Sequence, residues 1–281
     1  MKLLRYGPPG AEKPAMLDKE GRIRDLTDFV PEIDGKTLSP VKWAELAELN
    51  PESLSLVHGT HRIGPCVARP LNFVCIGLNY ADHAAETGAA IPKEPIIFLK
   101  SLGACCGPND DVMIPRGSVK TDWEVELGVV IGTKASYVSE DDAMNHVAGY
   151  CVINDVSERA FQTERGGTWD KGKGCDTFGP TGPWMVTKDE IPDPQSLAMW
   201  LDVDGHRMQD GSTKTMIFGV HKLVSYVSHF ITLHPGDLIS TGTPPGVGMG
   251  KKPEPIYLKV GQTMKLGVEG LGEQTQKVIA A

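Results

Sequence analysis

The sequence predicts a mainly β protein with few helices, an α+β fold, and three observations support this expectation. Short runs of apolar and β-branched residues recur along the chain, and most of them are too short to be helices. Turn residues separate the runs, since the chain contains 32 glycines and 21 prolines. Because apolar runs persist between them, these residues indicate turns rather than disorder. Helical periodicity is confined to a few segments.

The first part of the chain predicts a small N-terminal domain. Extended runs cover residues 2–6 and 13–17, and a polar helical stretch follows near residues 41–49. The pair Arg69-Pro70 favours a junction, because the residue before proline is pushed toward extended geometry. We therefore expect one domain at residues 1–69 and a larger one at residues 70–281.

The larger part repeats the strand and turn pattern. Strand-like runs cover residues 73–76, 95–99, 123–131, 150–154, 197–203, 238–241 and 263–268. The strongest hairpin signal is Asp204-Gly205, because Asp-Gly suits a two-residue turn between strands. Helical signals are a short segment that ends at Gly88, a capping-box pattern at residues 139–142, and an apolar stripe at Val220, Leu223, Val224 and Val227.

Composition and charge exclude several classes of protein. The formal charge is −8 and Lys and Arg are scattered, so we expect no nucleic-acid partner. No stretch approaches the roughly 20 apolar residues of a membrane span, and Gly7-Pro8-Pro9 interrupts the start before a secretory core could form. We expect a cytoplasmic protein without a membrane partner. The six cysteines lack a CxxC spacing, which predicts reduced thiols.

The most informative segment runs from Trp123 to Ile131. Alternate side chains of a strand share a face, so Glu124 and Glu126 lie on one face and Val125 and Leu127 on the other. Two carboxylates held close in a buried strand repel each other unless a cation lies between them. A half-exposed strand with a Glu-rich polar face is the alternative interpretation of this segment.

A third carboxylate follows another apolar run. Asp155 ends the segment YCVIND, which places it at a strand terminus, although it also suits the N-cap of a helix over residues 156–162. Carboxylates without a matching Cys or His cluster favour Mg²⁺ or Mn²⁺, or Ca²⁺, over zinc. The three acids therefore form a candidate metal site.

Candidate catalytic groups lie in two further segments. His83 and Glu86, at i and i+3 of the short helix that ends at Gly88, share one face, where a carboxylate raises the basicity of an imidazole. An exposed His-Glu pair is the alternative. Lys173, in the glycine-flanked loop GTWDKGKG, suits a mobile cation that contacts a carboxylate or an enolate, with a solvated lysine as the alternative.

Two loops raise the question of anion binding. The segment GTWDKGKG approaches a phosphate-binding loop, but Gly174 replaces the required hydroxyl residue and no helix pattern follows, which argues against nucleotide binding. The segment TGTPPGVG at residues 241–248 supplies backbone donors and hydroxyls that suit an anionic group.

These elements together resemble the fumarylacetoacetate hydrolase family. The motifs GLNYADHAAE, EVELGVVIG, the strand that ends at Asp155, Gln162, KGKGCDTFGP and TGTPPGVG occur in the family's order over about residues 70–250. The resemblance implies a mixed β-roll core, a homodimer, Mg²⁺ or Mn²⁺ on Glu124, Glu126 and Asp155, a water-activating His83–Glu86 pair, and substrate contacts by Lys173, Gln162 and Thr243. The neutral Asn79 departs from the acidic ligand of the name-giving enzyme and favours the acylpyruvase-like branch.

The resemblance implies a hydrolase that cleaves a carbon–carbon bond in a small 2-oxo acid. The expected substrate is a 2,4-dioxo-3-deoxy sugar acid or an acylpyruvate, and the products are pyruvate and a carboxylic acid. The alternative within the family is a lyase: a 2-oxo diacid decarboxylase, a 2-oxo-enoate hydratase or isomerase, or a ureidoglycolate lyase. The alternative outside enzymes is a binding protein with a structural Ca²⁺.

Overall fold

The structure is a computed structural model that describes the backbone of residues 1–281 and all side chains except that of Thr87. The strands, in chain order, are β1 (Lys2–Tyr6), β2 (Lys13–Leu17), β3 (Ile23–Asp25), β4 (Phe73–Gly77), β5 (Ile96–Leu99), β6 (Cys105–Cys106), β7 (Val112–Ile114), β8 (Thr121–Asp122), β9 (Val125–Ile131), β10 (Val147–Asn154), β11 (Ser157–Glu158), β12 (Gly179–Thr187), β13 (Ala198–Val203), β14 (His206–Ser212), β15 (Leu238–Ser240), β16 (Thr263–Val268) and β17 (Gly272–Ala280). The α-helices are α1 (Pro40–Ala47), α2 (Ala81–Thr87), α3 (Arg159–Thr163), α4 (Asp170–Lys173) and α5 (Val220–Ser228). The predicted mainly β fold is confirmed.

Two mixed sheets form the body of the protein. The larger sheet has ten strands in the order β3-β2-β1-β12-β10-β9-β15-β4-β5, with β6 attached to β12. The smaller sheet has the order β14-β13-β16-β17-β7. Most neighbours are antiparallel, but three pairs are parallel: β15 and β4, β12 and β6, and β17 and β7. The predicted core of mixed β-sheets is thus the observed one.

Strand β9 lies in the centre of the larger sheet, as its apolar sequence predicts. It is hydrogen-bonded to β10 on one side and to β15 on the other. Leu127 and Val129 pack in the cluster that also contains Leu201 of the smaller sheet. Val130 packs instead in a second cluster with Leu3. Because both faces of β9 are covered, any charge on this strand is shielded from water.

The N-terminal strands extend the larger sheet. Strand β1 pairs with β12, so β1, β2 and β3 continue the sheet at one edge. Leu3 and Met16 share a hydrophobic cluster with Phe73 and Met185 of the following part of the chain. The domain boundary at residue 69 stays a prediction. Arg69 itself has φ 48° rather than the extended geometry expected before proline.

Local predictions are partly confirmed. Asp204 and Gly205 form the predicted hairpin turn, with φ values of 49° and 77°, and the stripe at Val220–Ser228 is the helix α5. The capping-box pattern at residues 139–142 is followed by a 3-10 turn, Ala143–His146, and not by an α-helix. Helix α3 begins at Arg159 with Glu158 as its N-cap, so the N-cap interpretation of Asp155 is wrong.

Two broader expectations concern membrane-spanning helices and the state of the cysteines. None of the helices in the described part of the chain has both the length and the apolar character needed to cross a bilayer. All six cysteines are free thiols, as expected.

The packing of β15 provides a stability test. Ile239 is fully buried between β9 and β4, so Ile239→Ala should lower the free energy of unfolding by about 2–5 kcal/mol, measured by urea denaturation. The matched control is Ile256→Ala, whose side chain is 48% exposed and whose loss should cost less than about 1 kcal/mol. Equal losses in the two variants would contradict the central position of β15.

Candidate active site

Three buried carboxylates meet at the ends of β9 and β10. Glu124 and Glu126 flank the first residue of β9, and Asp155 follows the last residue of β10. The backbone N–H of Asp155 donates to the carbonyl oxygen of Glu124 (2.9 Å), which places the two segments side by side. One oxygen from each of the three carboxylates lies within 4.8 Å of the others. The structure therefore brings together the three acids that the sequence predicts as metal ligands.

Lys173 connects two of these acids. Its Nζ donates to Glu124 Oε2 at 2.6 Å and to Asp155 Oδ2 at 2.7 Å. The lysine is buried at the C-terminal end of α4, so the expectation of a mobile loop cation is wrong, as is that of a solvated lysine. Burial disfavours the ammonium, but Asp155 and Glu124 outweigh it and raise the pKa of Lys173. Lys173 is therefore a fixed, protonated cation and not a base.

Lys100 is a second buried lysine at this centre, and sequence reasoning missed it. Its Nζ lies 2.5 Å from Asp155 Oδ1 and donates to the carbonyl oxygen of Lys173 at 2.5 Å. The contact with Asp155 Oδ1 is an ion pair, since this oxygen has no partner with hydrogen-bond geometry in the structure. Lys100 thus orders Lys173 and compensates the charge of Asp155.

Arg159 was also missed by sequence reasoning. It donates from Nη2 to Glu124 Oε1 (2.7 Å), from Nε to Asp122 Oδ2 (2.8 Å) and from Nη1 to Gln162 Oε1 (3.0 Å). Helix α3 carries both Arg159 and Gln162, three residues apart, on one face. The arginine therefore fixes Gln162, a predicted substrate contact, next to Glu124.

The surrounding charges shift the pKa values of the two glutamates in opposite directions. Burial alone would raise the pKa of Glu124, but Lys173 and Arg159 lower it to about 2. Burial, Asp155 and Glu124 raise the pKa of Glu126 well above its ordinary range. Its Oε2 accepts hydrogen bonds from Ser240 Oγ (2.5 Å) and from the backbone N–H of Gly242 (2.9 Å). Among the ion pairs that the structure describes, none involves Glu126.

This donor set fits a hard divalent cation. Glu126 is a buried carboxylate without a described ion-pair partner, and one oxygen of Glu126 lies within 4.8 Å of oxygens of Glu124 and Asp155. A buried carboxylate in this condition gains from a nearby positive charge. Oxygen ligands are those that Mg²⁺, Mn²⁺ and Ca²⁺ prefer.

The predicted acid–base pair lies on α2. His83 Nδ1 is 3.1 Å from Glu86 Oε2, and the backbone N–H of Gly246 donates to both oxygens of Glu86 at 3.1 Å. His83 is buried, so this is not an exposed pair. The helix ends at Gly88, whose φ of 68° is the left-handed conformation that glycine adopts readily.

The loop at residues 241–248 acts differently from the expectation. Its backbone donors hold carboxylates of the protein itself: Gly242 bonds Glu126, Gly246 bonds Glu86, and Gly248 N–H donates to Asp122 Oδ1 at 2.7 Å. The predicted anion-binding character is present, but these anions are side chains. The loop therefore connects the predicted metal ligands to the predicted acid–base pair.

The remaining predicted residues lie nearby. Thr243 Oγ1 donates to the carbonyl oxygen of Val125 at 2.9 Å and accepts from Gln209 Nε2 at 2.8 Å. Asn79 is buried, and its side-chain amide bonds Thr241 and Phe218. Asn79 thus joins two loops, which agrees with the absence of a fourth acidic ligand at this position.

A cavity of about 290 Å³ opens onto these groups. Its lining includes His83 together with Glu126 of β9 and Glu124, the residue that precedes β9. The polar lining residues are His83, Glu124, Glu126, Arg159, Gln162, Thr163, Lys173 and Thr243. A buried cluster of acids that could hold a metal ion, a positioned imidazole and a small cavity make this the candidate active site.

Comparison with known proteins identifies the family. The model of the fumarylacetoacetate (FAA) hydrolase C-terminal domain matches residues 72–279. A protein of Burkholderia multivorans, which carries only a provisional hydrolase name, is 63% identical over 281 residues and covers 100% of both chains. The chain therefore belongs to the fumarylacetoacetate hydrolase family.

Solved structures agree with this assignment. A fumarylacetoacetate hydrolase from Exiguobacterium antarcticum has a TM-score of 0.89 at 32% identity, with 100% of both chains covered. A 2-hydroxyhepta-2,4-diene-1,7-dioate isomerase from Mycobacterium marinum has a TM-score of 0.76 at 31% identity, covering 100% of this chain and 98% of that one. A maleylpyruvate hydrolase from Sphingobium sp. SYK-6, in complex with manganese(II) and pyruvate, has a TM-score of 0.82 at 25% identity, with 100% of both chains covered.

Glu126, which has no described ion-pair partner, leads to a prediction about metal binding and about how stability depends on pH. Its pKa is raised in the folded protein, so the metal-free protein should lose stability as pH rises from the ordinary carboxyl pKa through the raised one. Glu126→Gln should remove this loss and leave the metal-free variant at least as stable as the parent at pH 7. Excess Mn²⁺ should stabilise the parent, by about 2.7 kcal/mol at a hundredfold excess over Kd, but not the variant.

Urea denaturation with and without Mn²⁺ measures both effects. The control is Glu52→Gln, because Glu52 is exposed and remote from the cavity. Equal stabilisation of Glu126→Gln and the control by Mn²⁺ would exclude Glu126 as a ligand.

Proposed function

We propose that this enzyme hydrolyses a carbon–carbon bond of a 2,4-dioxo acid, with Mg²⁺ or Mn²⁺, to give pyruvate and a carboxylic acid. The observation that supports this most is the shared cavity, whose lining contains both His83 of the His83–Glu86 pair and Glu124 and Glu126 of the acidic cluster. The acidic cluster suits the 2-oxo acid half of a substrate, and the His83–Glu86 pair suits activation of water.

Three side chains would hold the cation. Glu124, Glu126 and Asp155 are the ligands, and Lys173 and Arg159 keep Glu124 ionised. When bound, Mg²⁺ or Mn²⁺ supplies positive charge that polarises the carboxylate and 2-oxo oxygens of the substrate. The manganese(II) and pyruvate in the maleylpyruvate hydrolase from Sphingobium support this choice of cation class and product.

His83 is the proposed general base. Its Nδ1 is engaged with Glu86, so Nε2 is the nitrogen that takes a proton from water. The water oxygen bonds to the 4-oxo carbon, and the bond between C3 and C4 then breaks. Its electron pair moves into the enolate of pyruvate. The proton on His83 returns to C3, and the products are a carboxylic acid and pyruvate.

Lys173 is the proposed partner of the developing negative charge. Since its ammonium is permanently charged and fixed beside Glu124, it needs no reorganisation when the enolate forms. Gln162 and Thr243 line the same cavity and supply an amide and a hydroxyl to the substrate.

A lyase or isomerase of the same family is the second candidate, and one observation favours it. The isomerase from Mycobacterium marinum is 31% identical, against 25% for the maleylpyruvate hydrolase from Sphingobium. The His83–Glu86 pair favours hydrolysis over decarboxylation, because decarboxylation needs no base that activates water.

The histidine separates the two candidates. His83→Ala should lower kcat for pyruvate release from a 2,4-dioxo acid by about 10²–10⁴, the usual contribution of a general base. Glu86→Gln should lower it by about 10–100, because the imidazole is then less firmly oriented. Coupled assay of pyruvate in the presence of Mg²⁺ or Mn²⁺ measures both.

Metal affinity is the control for His83→Ala, since neither His83 nor Glu86 is a proposed ligand. Calorimetric binding of Mn²⁺ should be unchanged in the two variants. If His83→Ala released pyruvate as fast as the parent, a hydrolytic role for this pair would be wrong.

Two expectations from the sequence stay predictions. These are the homodimer and the cytoplasmic location. Light scattering of the purified chain tests the first.

A further inference from the structure

We infer that the acyl half of the substrate is an apolar alkyl or aryl group, so that the preferred substrate is an acylpyruvate and not a sugar acid or a dicarboxylic acid. This inference rests on the proposed function, because it concerns the half of the 2,4-dioxo acid that leaves as the carboxylic acid. It depends on six side chains that line the cavity, here called the apolar wall: Ile76, Leu78, Ile96, Phe98, Trp169 and Met249.

The apolar wall begins at the acidic cluster. The Nζ of Lys173, which bonds Glu124, lies 5.2 Å from the ring centroid of Phe98. Phe98 in turn contacts Trp169 edge-on, with ring centroids 5.3 Å apart. A group attached at the reacting carbon therefore meets aromatic carbon as soon as it extends past Lys173.

The wall continues from Trp169 to Ile96 around a glycine. A Cβ on Gly77 would lie 2.4 Å from Trp169 Cζ3 and 3.6 Å from Ile96 Cγ2, so the indole packs directly against the backbone at this position. Ile96 and Phe98 lie two residues apart in β5 and so share one face of the strand. Only glycine at position 77 leaves room for this arrangement.

The charged groups of the lining are already committed. Lys173 is bonded to Glu124 and Asp155, and Arg159 to Asp122 and Glu124. The lysine and the arginine that line the cavity therefore both have carboxylate partners. A second carboxylate on the substrate would have to compete with these buried ion pairs, next to two glutamates of the same sign.

The size of the cavity agrees with a short acyl group. Its volume of about 290 Å³ is at the lower end of the ~300–1,000 Å³ of small-molecule sites. A sugar acid would place several hydroxyls against the apolar wall, where they would lose water without gaining partners. An alkyl or aryl group loses nothing there, and each added methylene that fits should raise kcat/KM.

A matched pair of uncleavable 2-oxo acids tests the inference by binding alone. In 2-oxohexanoate the chain ends in a methyl group, and in 2-oxoadipate a carboxylate replaces that methyl. Calorimetry with the full chain and Mn²⁺ should show 2-oxohexanoate binding at least tenfold more tightly than 2-oxoadipate or pyruvate. Equal or tighter binding of 2-oxoadipate would overturn the inference.

Turnover provides the second measurement. We expect kcat/KM for pyruvate release to rise tenfold or more from acetylpyruvate to a pentanoyl or hexanoyl pyruvate. A 2,4-dioxo-3-deoxy sugar acid or a succinyl pyruvate should be at least tenfold poorer than the alkyl compound. Preference for either of these two would overturn the inference and leave the proposed hydrolysis intact. If the protein bound 2-oxohexanoate selectively but released pyruvate from none of these compounds, the proposed hydrolysis would be wrong. The proposed role of the apolar wall in specificity would then still be supported.

Variants test whether the apolar wall causes the preference for 2-oxohexanoate over 2-oxoadipate. Trp169→Leu should reduce the ratio of the two affinities, for 2-oxohexanoate over 2-oxoadipate, by about tenfold. The matched control is Trp43→Leu, since Trp43 is half-buried against the N-terminal cluster and does not line this cavity. The Trp43→Leu variant should have the same ratio of affinities for the two acids as the parent protein.

Ile96→Ser is the second variant, in case Trp169→Leu does not fold. Ile96 is 37% exposed on an edge strand, so its replacement should leave the fold intact. An unchanged affinity ratio in a folded Ile96→Ser or Trp169→Leu protein would exclude the wall as the determinant of specificity.

Discussion

Two buried cations, Lys173 and Arg159, hold Glu124 from opposite sides, and the site depends on this interaction. Burial of a carboxylate is unfavourable unless charge and hydrogen bonds compensate it, and here both oxygens of Glu124 have a cationic donor. Glu126, two residues on, has hydrogen bonds but no described ion pair. Two carboxylates on one stretch of chain therefore differ: Glu124 has cationic partners that offset the cost of burying its charge, and Glu126 has none among the described ion pairs. That contrast is the reason for proposing that the cluster holds a divalent cation and is not only a structural ion-pair network.

The fold supplies this arrangement through three adjacent strands. Strand β9 carries the glutamates, β10 delivers Asp155 beside Glu124, and β15 ends at Ser240, which bonds Glu126. Because β9 lies between β10 and β15, every group of the cluster is attached to the rigid centre of the sheet. The loop after β15 then returns along the helix α2 and fixes Glu86 through Gly246. One continuous segment thus sets the distance between the acidic cluster and the His83–Glu86 pair.

Sequence reasoning could find residues whose role follows from local pattern. Alternation placed Glu124 and Glu126 on one face of a buried strand, and helical spacing paired His83 with Glu86. It could not find Arg159 or Lys100, because their importance comes from contacts with Asp122 and Asp155 across long stretches of chain. It also expected a mobile Lys173, since a glycine-flanked lysine looks solvent-exposed locally. Only the tertiary fold shows the two carboxylates that keep it buried and charged.

The helical turn from Trp169 to Lys173 connects chemistry with substrate selection. The N–H of Lys173 donates to the carbonyl oxygen of Trp169 at 3.1 Å, so the cation and the indole are the two ends of one hydrogen-bonded turn. The cation contacts the acidic cluster, and the indole packs on Gly77 in the apolar wall. A substrate that displaced Trp169 would therefore also disturb Lys173. Under the proposed hydrolysis, this connection would let the site discriminate between acyl groups in the reaction itself as well as in binding, because a poorly fitting group would change the position of the charge that is proposed to stabilise the enolate.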